Sequence, residues 1–287
     1  MIMSRRRDAL LSNNKSKLSN LPFLAPCRSV SATAPLRWLH KGVTDTRRAP
    51  LASLIYGALM ASLLMFTTLA AWQLGSAWIM LMLLCSLVFA VPLACIGTYA
   101  ISAQLERGLT VSLRETLKAS VKSYIGTELV YALVMLVVFL VWARASSMAS
   151  IFLPHTGSYE FAEMAGYLSI LALVSLIFLS IIFAASVFSL PMIMHRDVDA
   201  ITAIVTSINA VMRNKVTMLV WGILIALALI AGILTGGLAL IFLLPSIGHA
   251  SWHGYLETID AEQFPRHSIG VTSLKRPVND TDDDKPR

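Results

Sequence analysis

Five long apolar segments constrain the fold of this 287-residue chain more than any other feature of its sequence. They run from Leu51 to Trp72, Ala77 to Ile101, Ile125 to Ala143, Leu168 to Met194 and Val216 to Ala250. About 20 apolar residues are enough for a helix to cross the hydrocarbon core of a bilayer. Because 56% of the residues are hydrophobic and only 14% are charged, the composition also argues against a soluble domain or a disordered chain. The sequence therefore predicts an integral membrane protein.

The last apolar segment is too long for a single span. As one helix it would exceed a hydrocarbon core of ~30 Å, because a helix rises about 1.5 Å per residue. Thr235, Gly236 and Gly237 offer a break, since paired glycines are unfavourable in a helix and adopt tight turns easily. The sequence thus predicts an all-α membrane bundle of six transmembrane helices, arranged as three hairpins.

A short motif near the end of each second helix indicates that the hairpins are related. Its three copies are Phe89-Ala-Val-Pro92, Phe188-Ser-Leu-Pro191 and Phe242-Leu-Leu-Pro245. Proline kinks or ends a helix because its ring removes a donor and crowds the carbonyl four residues earlier. Internal duplication and independent use of the same helix-ending chemistry both explain the repeat, and the motif is too short to separate them.

The placement of charge predicts the orientation of the chain in the membrane. The net charge is +7, and all but Arg144 of the 23 lysines and arginines lie in segments 1–48, 102–124, 195–215 and 251–287. Cytoplasmic segments are enriched in these cations, so we expect these four segments and both termini to lie inside. The cations border apolar segments rather than forming one basic surface, so the lipid bilayer, and not nucleic acid, is the expected partner.

The sequence divides into one membrane domain and two tails. The domain is predicted over residues 35–260, with disordered cytoplasmic tails over residues 1–34 and 261–287. Because Asp8 is the only acid before Asp45, a transit peptide is the alternative for the N-terminal segment. We expect the first 32 residues to be dispensable for the fold.

The cytoplasmic segments repeat apolar residues at helical spacing, which predicts amphipathic in-plane helices on the cytoplasmic face. One stripe comprises Leu105, Leu109, Leu113, Leu117 and Val121, with Arg114, Lys118 and Lys122 on another face. A second stripe, preceded by Asp197 and Asp199, comprises Ile201, Ile204, Val205, Ile208 and Met212. Such helices seal a bundle to the headgroups or dock a partner, and the sequence leaves both open.

Few polar residues fall inside the predicted spans. Glu128 is the only acid among them, and with Tyr124 and Thr127 it forms a candidate intramembrane polar site that could bind a cation or carry a proton. The alternative is that Glu128 lies near the inner interface and pairs with Lys122 or Arg114.

Basic residues at the inner ends of the spans are candidate contacts for lipid phosphates. They are Arg47, Arg48, Arg114, Lys118 and Lys122. Because Arg47 and Arg48 follow Asp45 just before Pro50, a charged turn that orients the first span explains the same residues.

His249 and His253 are four residues apart, the spacing that places two metal-binding imidazoles on one helical face. They are the weak candidates for a metal or haem site, while hydrogen bonding at the interface is the alternative. No phosphate-binding loop, nucleophile elbow or zinc-protease motif is present. We therefore predict no cofactor and no enzymatic activity.

Several short motifs stand in a fixed order along the chain. They are Trp38-x-x-x-Gly42-x-x-Asp45, Pro50, Ser53, Tyr56, Gly57, Leu105-Glu-Arg-Gly108, Phe188-Ser-Leu-Pro191, Asp197-x-Asp199-Ala200, Ser207, Asn214 and Pro245-x-x-Gly248-His249-Ala250-x-Trp252-x-x-Tyr255. In this order the chain resembles, over about residues 35–260, an uncharacterised family of bacterial integral membrane proteins known as a domain of unknown function. The resemblance implies a bacterial inner membrane and implies no activity.

These observations favour a non-enzymatic scaffold or accessory protein that has a membrane-protein partner or a second copy of itself as its binding partner. A small-solute or ion transporter that uses Glu128 is the first alternative. A haem or metal membrane oxidoreductase is the second.

Overall fold

A computed structural model describes residues 22–73, 95–111, 116, 125–148 and 161–266. The described helices are α1 (Ala34–Arg48), α2 (Pro50–Gln73), α3 (Ile96–Glu106), α4 (Ile125–Met148), α5 (Phe161–Ser186), α6 (Ser189–His195), α7 (Ala200–Arg213), α8 (Lys215–Leu234) and α9 (Leu240–Thr258). Within the described ranges no strand is present, and β-type pairing is limited to two isolated antiparallel bridges. The fold class predicted from the sequence, all-α, is confirmed for this part of the chain.

Four helical stretches in the described ranges are long and apolar enough to cross a membrane. They are Pro50–Ala70 in α2, Leu129–Met148 in α4, Ala165–His195 across α5 and α6, and Lys215–Leu234, which is α8. Large apolar side chains point away from the protein on all four, as Phe66, Leu129 and Leu234 show with exposed fractions of 71%, 67% and 81%. Such a surface is stable only against lipid or another apolar partner.

The other two predicted spans differ from these four. Most of the second, residues 74–94, lies outside the described residues, together with the motif at Phe89, and α3 continues from its end. The last, α9, is 19 residues long but is not among the helices apolar enough to span a membrane. It is instead packed against α1, α2, α3 and α8, and it carries small and polar residues because protein surrounds it.

The break between α8 and α9 is confirmed at the predicted glycines. Helix α8 ends at Leu234, and Gly236 and Gly237 follow with φ values of 58° and 91°. Glycine adopts this left-handed region without the steric cost that other residues bear. A tight turn therefore brings α9 back against α8.

Two copies of the Phe-x-x-Pro motif are described, and their prolines act differently. Helix α5 ends at Ser186 and α6 begins at Ser189, so Pro191 lies in the first turn of α6, where its missing N–H breaks no helical bond. Pro245 lies inside α9 and leaves the carbonyl of Ile241 without its helical donor. Gly57 of α2 faces this carbonyl so closely that a Cβ atom at Gly57 would overlap it.

Glycines also bring α9 close to its other neighbours. A Cβ atom at Gly42 of α1 would overlap the carbonyl of Ser246, and one at Gly248 of α9 would overlap the side chain of Thr98 on α3. Small residues allow helix backbones in membrane proteins to approach in this way. The result is a core in which α9 lies between α1, α2 and α3 at close range.

Helix α7 begins where the sequence predicts. Asp199 is the N-cap residue, and its carboxylate accepts a hydrogen bond from the backbone N–H of Thr202 at 2.9 Å. The predicted apolar stripe divides in two: Ile204 is buried, whereas Ile201 and Met212, each 55% exposed, face outward. The buried face is completed by small residues such as Ala203 and Ala210, which let α7 pack against the bundle.

Residues 22–33, predicted to belong to a disordered tail, instead form an extended strap across the bundle. The backbone of Cys27 pairs with Ile259 in an antiparallel bridge, and Ala25 donates its N–H to Thr206 Oγ1 at 3.3 Å. Asn214 binds the strap from both sides: its Oδ1 accepts from Val30 N–H at 2.9 Å and its Nδ2 donates to the Arg28 carbonyl at 3.0 Å. These bonds join residues 22–33 to α7 and to the end of α9.

Replacing Asn214 by alanine should release the strap. Asn214 is 5% exposed, so Asn214→Ala leaves the Val30 N–H and the Arg28 carbonyl without partners, at a cost of about 2 kcal/mol in the free energy of unfolding. We expect trypsin to cleave after Arg28 faster than in the wild type, and mass spectrometry measures this rate. Met212→Ala is the control: it lies at an exposed position on α7, the helix that Asn214 follows, and this variant should be cleaved at the wild-type rate. Equal rates for the two variants would contradict a structural strap.

Candidate functional site

The most concentrated polar chemistry in the described residues lies where α9 meets three other helices. Asp45 comes from the last turn of α1, Ser53 from the first turn of α2 and Ser102 from α3. His249 and His253 come from α9, one helical turn apart and therefore on the same face. We call these five side chains the polar network.

The network is a continuous chain of short hydrogen bonds. Ser53 Oγ lies 3.0 Å from His249 Nε2, and Ser102 Oγ lies 2.8 Å from His249 Nδ1. Ser102 Oγ donates to Asp45 Oδ2 at 2.8 Å, and His253 Nε2 reaches the same oxygen at 2.8 Å. Ser53 and His249 are completely buried, and Asp45 is 5% exposed.

The carboxylate fixes the direction of these hydrogen bonds. An ionised Asp45 can only accept hydrogen bonds, so the Ser102 hydroxyl donates to it. The Ser102 oxygen then accepts a hydrogen bond from His249 Nδ1–H. In neutral His249 the other nitrogen, Nε2, is then an acceptor for the Ser53 hydroxyl. Every link therefore has one donor and one acceptor.

Asp45 is the charged centre of the network. Burial opposes ionisation of its carboxyl, but hydrogen bonding and charge attraction from His253, with a further hydrogen bond from Ser102, outweigh burial and lower the pKa of Asp45 below its usual range. The contact between Asp45 and His253 is shielded, since the two side chains are 7% and 17% exposed.

The lowered pKa of Asp45 predicts a specific dependence of stability on pH. The contribution of Asp45 is present above its unfolded pKa of about 3.9 and is lost as the pH falls through the lower pKa of the folded state. The difference in thermal stability between wild type and Asp45→Asn in detergent should therefore be present at pH 5 and shrink as the pH falls below about 4. A difference that stays constant to about pH 2 would contradict the ionised network.

The arrangement is suited to joining helices rather than to catalysis. A serine hydroxyl against a histidine that leads to a carboxylate recurs in hydrolases, but there the carboxylate contacts the histidine directly. Here Ser102 lies between His249 and Asp45, and neither Ser53 nor His249 is exposed to a substrate. The network instead links α1, α2, α3 and α9 through side chains far apart in sequence.

The predicted intramembrane site is only partly visible. Thr127 is half-buried on α4, and Glu128 belongs to the same helix, but the position of its side chain is not described. Tyr124 lies outside the described residues. The hypothesis that Glu128 binds a cation or a proton stays a prediction.

Of the predicted lipid-phosphate contacts, the structure describes two. Arg47 and Arg48 are exposed in the last turn of α1, where basic residues suit the negative end of the helix dipole. Arg114, Lys118 and Lys122 lie outside the described residues.

His249 and His253 do share one face of α9, as their spacing predicts. Both nitrogens of His249 are engaged by serine hydroxyls, and Nε2 of His253 is engaged by Asp45. In the part of the chain that the structure describes, no group of three or more His, Cys, Asp or Glu side chains is placed to hold a metal ion. The two histidines bind protein groups in this structure.

Reasoning from the sequence did not find the connection between these residues. The sequence pattern indicates a charged turn at Asp45, and either a weak metal pair or hydrogen bonding for the histidines, but it does not identify their partners, which lie up to 208 positions away along the chain. A signal was present nevertheless. Asp45, Ser53 and His249 all belong to the ordered motifs that carry the family resemblance, whereas Ser102 and His253 do not.

Comparison with known proteins agrees with the membrane character of the chain. Residues 79–195 match the model of a family described as "Predicted integral membrane protein (DUF2189)". No curated protein and no solved structure matches the chain. The chain is thus an integral membrane protein, and its resemblance to this family of unknown function is confirmed over residues 79–195.

Proposed function

We propose that the protein is a non-enzymatic scaffold or accessory protein of the bacterial inner membrane. The observation that carries the proposal is the closed polar network, in which five buried or half-buried side chains bind one another between four helices. A binding site for a solute keeps polar groups available for its ligand. Polar groups that satisfy one another in the core hold helices in a fixed arrangement instead.

The outer surface supports the same proposal. In the most apolar 18 residues of each of the four spans, only 22–28% are buried inside the protein. Most of the surface of these spans is therefore left for lipid or for other helices. Helix α7 adds an exposed apolar stripe of Ile201, Ile208 and Met212 outside these spans. A membrane-protein partner, or a second copy of this chain, would bind to such surfaces by close packing.

The proposal includes six spans in three hairpins, with both termini and the in-plane helices on the cytoplasmic side. The positions of the lysines and arginines support this orientation. A cysteine added after Arg287, in a chain whose own cysteines are replaced by serine, should resist an impermeant thiol reagent in intact cells. Added after permeabilisation, the reagent should label it, and labelling of intact cells would contradict the orientation.

The function is tested by purifying the protein from its native membrane in mild detergent. We expect quantitative mass spectrometry to find a second membrane protein, or a second copy by cross-linking, in stoichiometric amount. Recovery of the protein alone, together with loss of solute uptake in Glu128→Gln at normal expression, would contradict the scaffold and favour transport. Bound metal or visible absorbance in the purified protein would favour the oxidoreductase.

A further inference from the structure

Arg196 is a buried cation that lacks a carboxylate partner in the described part of the chain. It follows α6 directly and is 7% exposed. One guanidinium nitrogen, Nη1, donates to the Phe264 carbonyl at 2.9 Å. Nε is buried with no hydrogen-bond partner, and the ion pairs of the described residues all involve other groups. An unpaired buried charge raises the free energy of the fold, and an anion bound at Arg196 would reduce this cost.

A second arginine lies directly opposite the first. Arg196 and Arg266 face each other in an isolated antiparallel bridge, beside a hydrogen bond of 2.9 Å from Asp197 N–H to the Pro265 carbonyl. Residues opposite each other in an antiparallel pair place their side chains on the same face, with Cβ atoms about 5 Å apart. Two like charges in this arrangement repel unless an anion lies between them.

A third arginine belongs to the same region. Arg107, the C-cap residue of α3, lies within electrostatic range of His195, as do Arg196 and Arg266. We call these three arginines the arginine cluster.

Nearby acids are engaged elsewhere. Glu106 accepts from Trp252 Nε1 at 3.1 Å, Asp260 pairs with Arg28 at 2.9 Å, and Asp199 caps α7. Asp197 follows Arg196 in an extended segment, where successive side chains point to opposite faces. None of these four carboxylates forms an ion pair with Arg196, although Asp260 interacts with it electrostatically without direct contact.

We propose that the arginine cluster binds the phosphate group of an anionic ligand. Phosphate oxygens accept two parallel hydrogen bonds from one guanidinium, and several guanidinium groups can share one phosphate. The three arginines come from segments 102–124, 195–215 and 251–287, which the charge pattern places on the cytoplasmic side. The phosphate there belongs either to an anionic lipid of the inner leaflet or to a free, soluble anion.

The test measures binding to the full-length protein in non-ionic detergent. The probes are inorganic phosphate, short-chain phosphatidylglycerol and short-chain phosphatidylcholine, and the readouts are the dissociation constant and the melting temperature. Arg266→Gln, at an exposed position, should weaken binding about tenfold, as expected from the loss of one charge-assisted hydrogen bond. Lys215→Gln, at an exposed cation of the same predicted face, is the matched control and should bind as wild type does.

The outcomes separate the sources of the phosphate. Binding of phosphatidylglycerol but not inorganic phosphate would assign the cluster to lipid, and binding of inorganic phosphate would assign it to a soluble anion. No binding by wild type, or equal binding by Arg266→Gln and Lys215→Gln, would overturn the proposal even if Arg196→Gln fails to fold. So would binding that appears only after Asp282, Asp283 and Asp284 are changed to asparagine, because the chain's own acidic end would then be the anion.

Discussion

Gly57→Ala should unfold or severely destabilise the protein, although it adds only one methyl group. The added Cβ would overlap the carbonyl of Ile241 and lie 3.0 Å from Cδ of Pro245. Backbone atoms cannot rotate away as a flexible side chain can, so α2 and α9 would have to separate. We expect a loss of at least about 3 kcal/mol in the free energy of unfolding, the upper range for overpacked cores. The yield of monodisperse protein and its melting temperature in detergent measure the effect.

Gly222→Ala is the matched control for this experiment. Gly222 lies within α8, and a Cβ atom there would have no neighbour within 4 Å. Alanine is favoured over glycine in helices by up to about 1 kcal/mol, so this variant should be as stable as wild type or slightly more stable. If Gly57→Ala and Gly222→Ala melt at the same temperature, α2 and α9 do not approach each other at Gly57.

Asp45→Ala should have the second large effect. It removes the acceptor of the Ser102 hydroxyl hydrogen and the partner of His253 Nε2 in a shielded site. A buried hydrogen-bonding group that loses its partner costs about 1–3 kcal/mol. We expect a correspondingly lower melting temperature at pH 7, and a smaller loss for Asp45→Asn, whose side-chain oxygen still accepts one hydrogen bond.

The control for Asp45→Ala is an acid with no such partners. Glu262 is exposed, and in the described part of the chain its side chain is in no ion pair, so Glu262→Ala should change stability by less than about 0.5 kcal/mol. A loss for Asp45→Ala no greater than that of Glu262→Ala would show that the polar network contributes nothing to the fold. Ser53→Ala measures the contribution of the Ser53 end of the network alone, because it removes only the contact to His249 Nε2.

The sequence predicts those helices whose surroundings are mostly lipid. Helices α2, α4, α5 and α8 are apolar all round, so length and composition identify them without knowledge of their neighbours. Helix α9 was predicted as a short sixth span, and its Gly248 and His249 contact neighbouring helices. Composition alone does not distinguish a short interior helix from a short span.

The strap and the polar network escape prediction for a different reason. Residues 22–33 have no helical or strand periodicity, and their bonds go to Thr206, Asn214 and Thr258, more than 180 positions away. The network depends on pairs such as Asp45 with His253, which no local pattern connects. The capping residue Asp199 and the glycine turn after α8 were predictable because both act on their immediate neighbours.

The late position of α9 in the chain has a consequence for synthesis. Helices α1 and α2 emerge from the ribosome first, yet Gly42 packs against Ser246 and Ser53 bonds His249, and both of these residues are on α9. Until translation reaches Thr258, the nascent chain lacks these contacts. The protein is therefore most vulnerable to quality-control proteases during the interval before α9 docks, and a chain that stops short of α9 should be degraded rather than accumulate as a partial bundle.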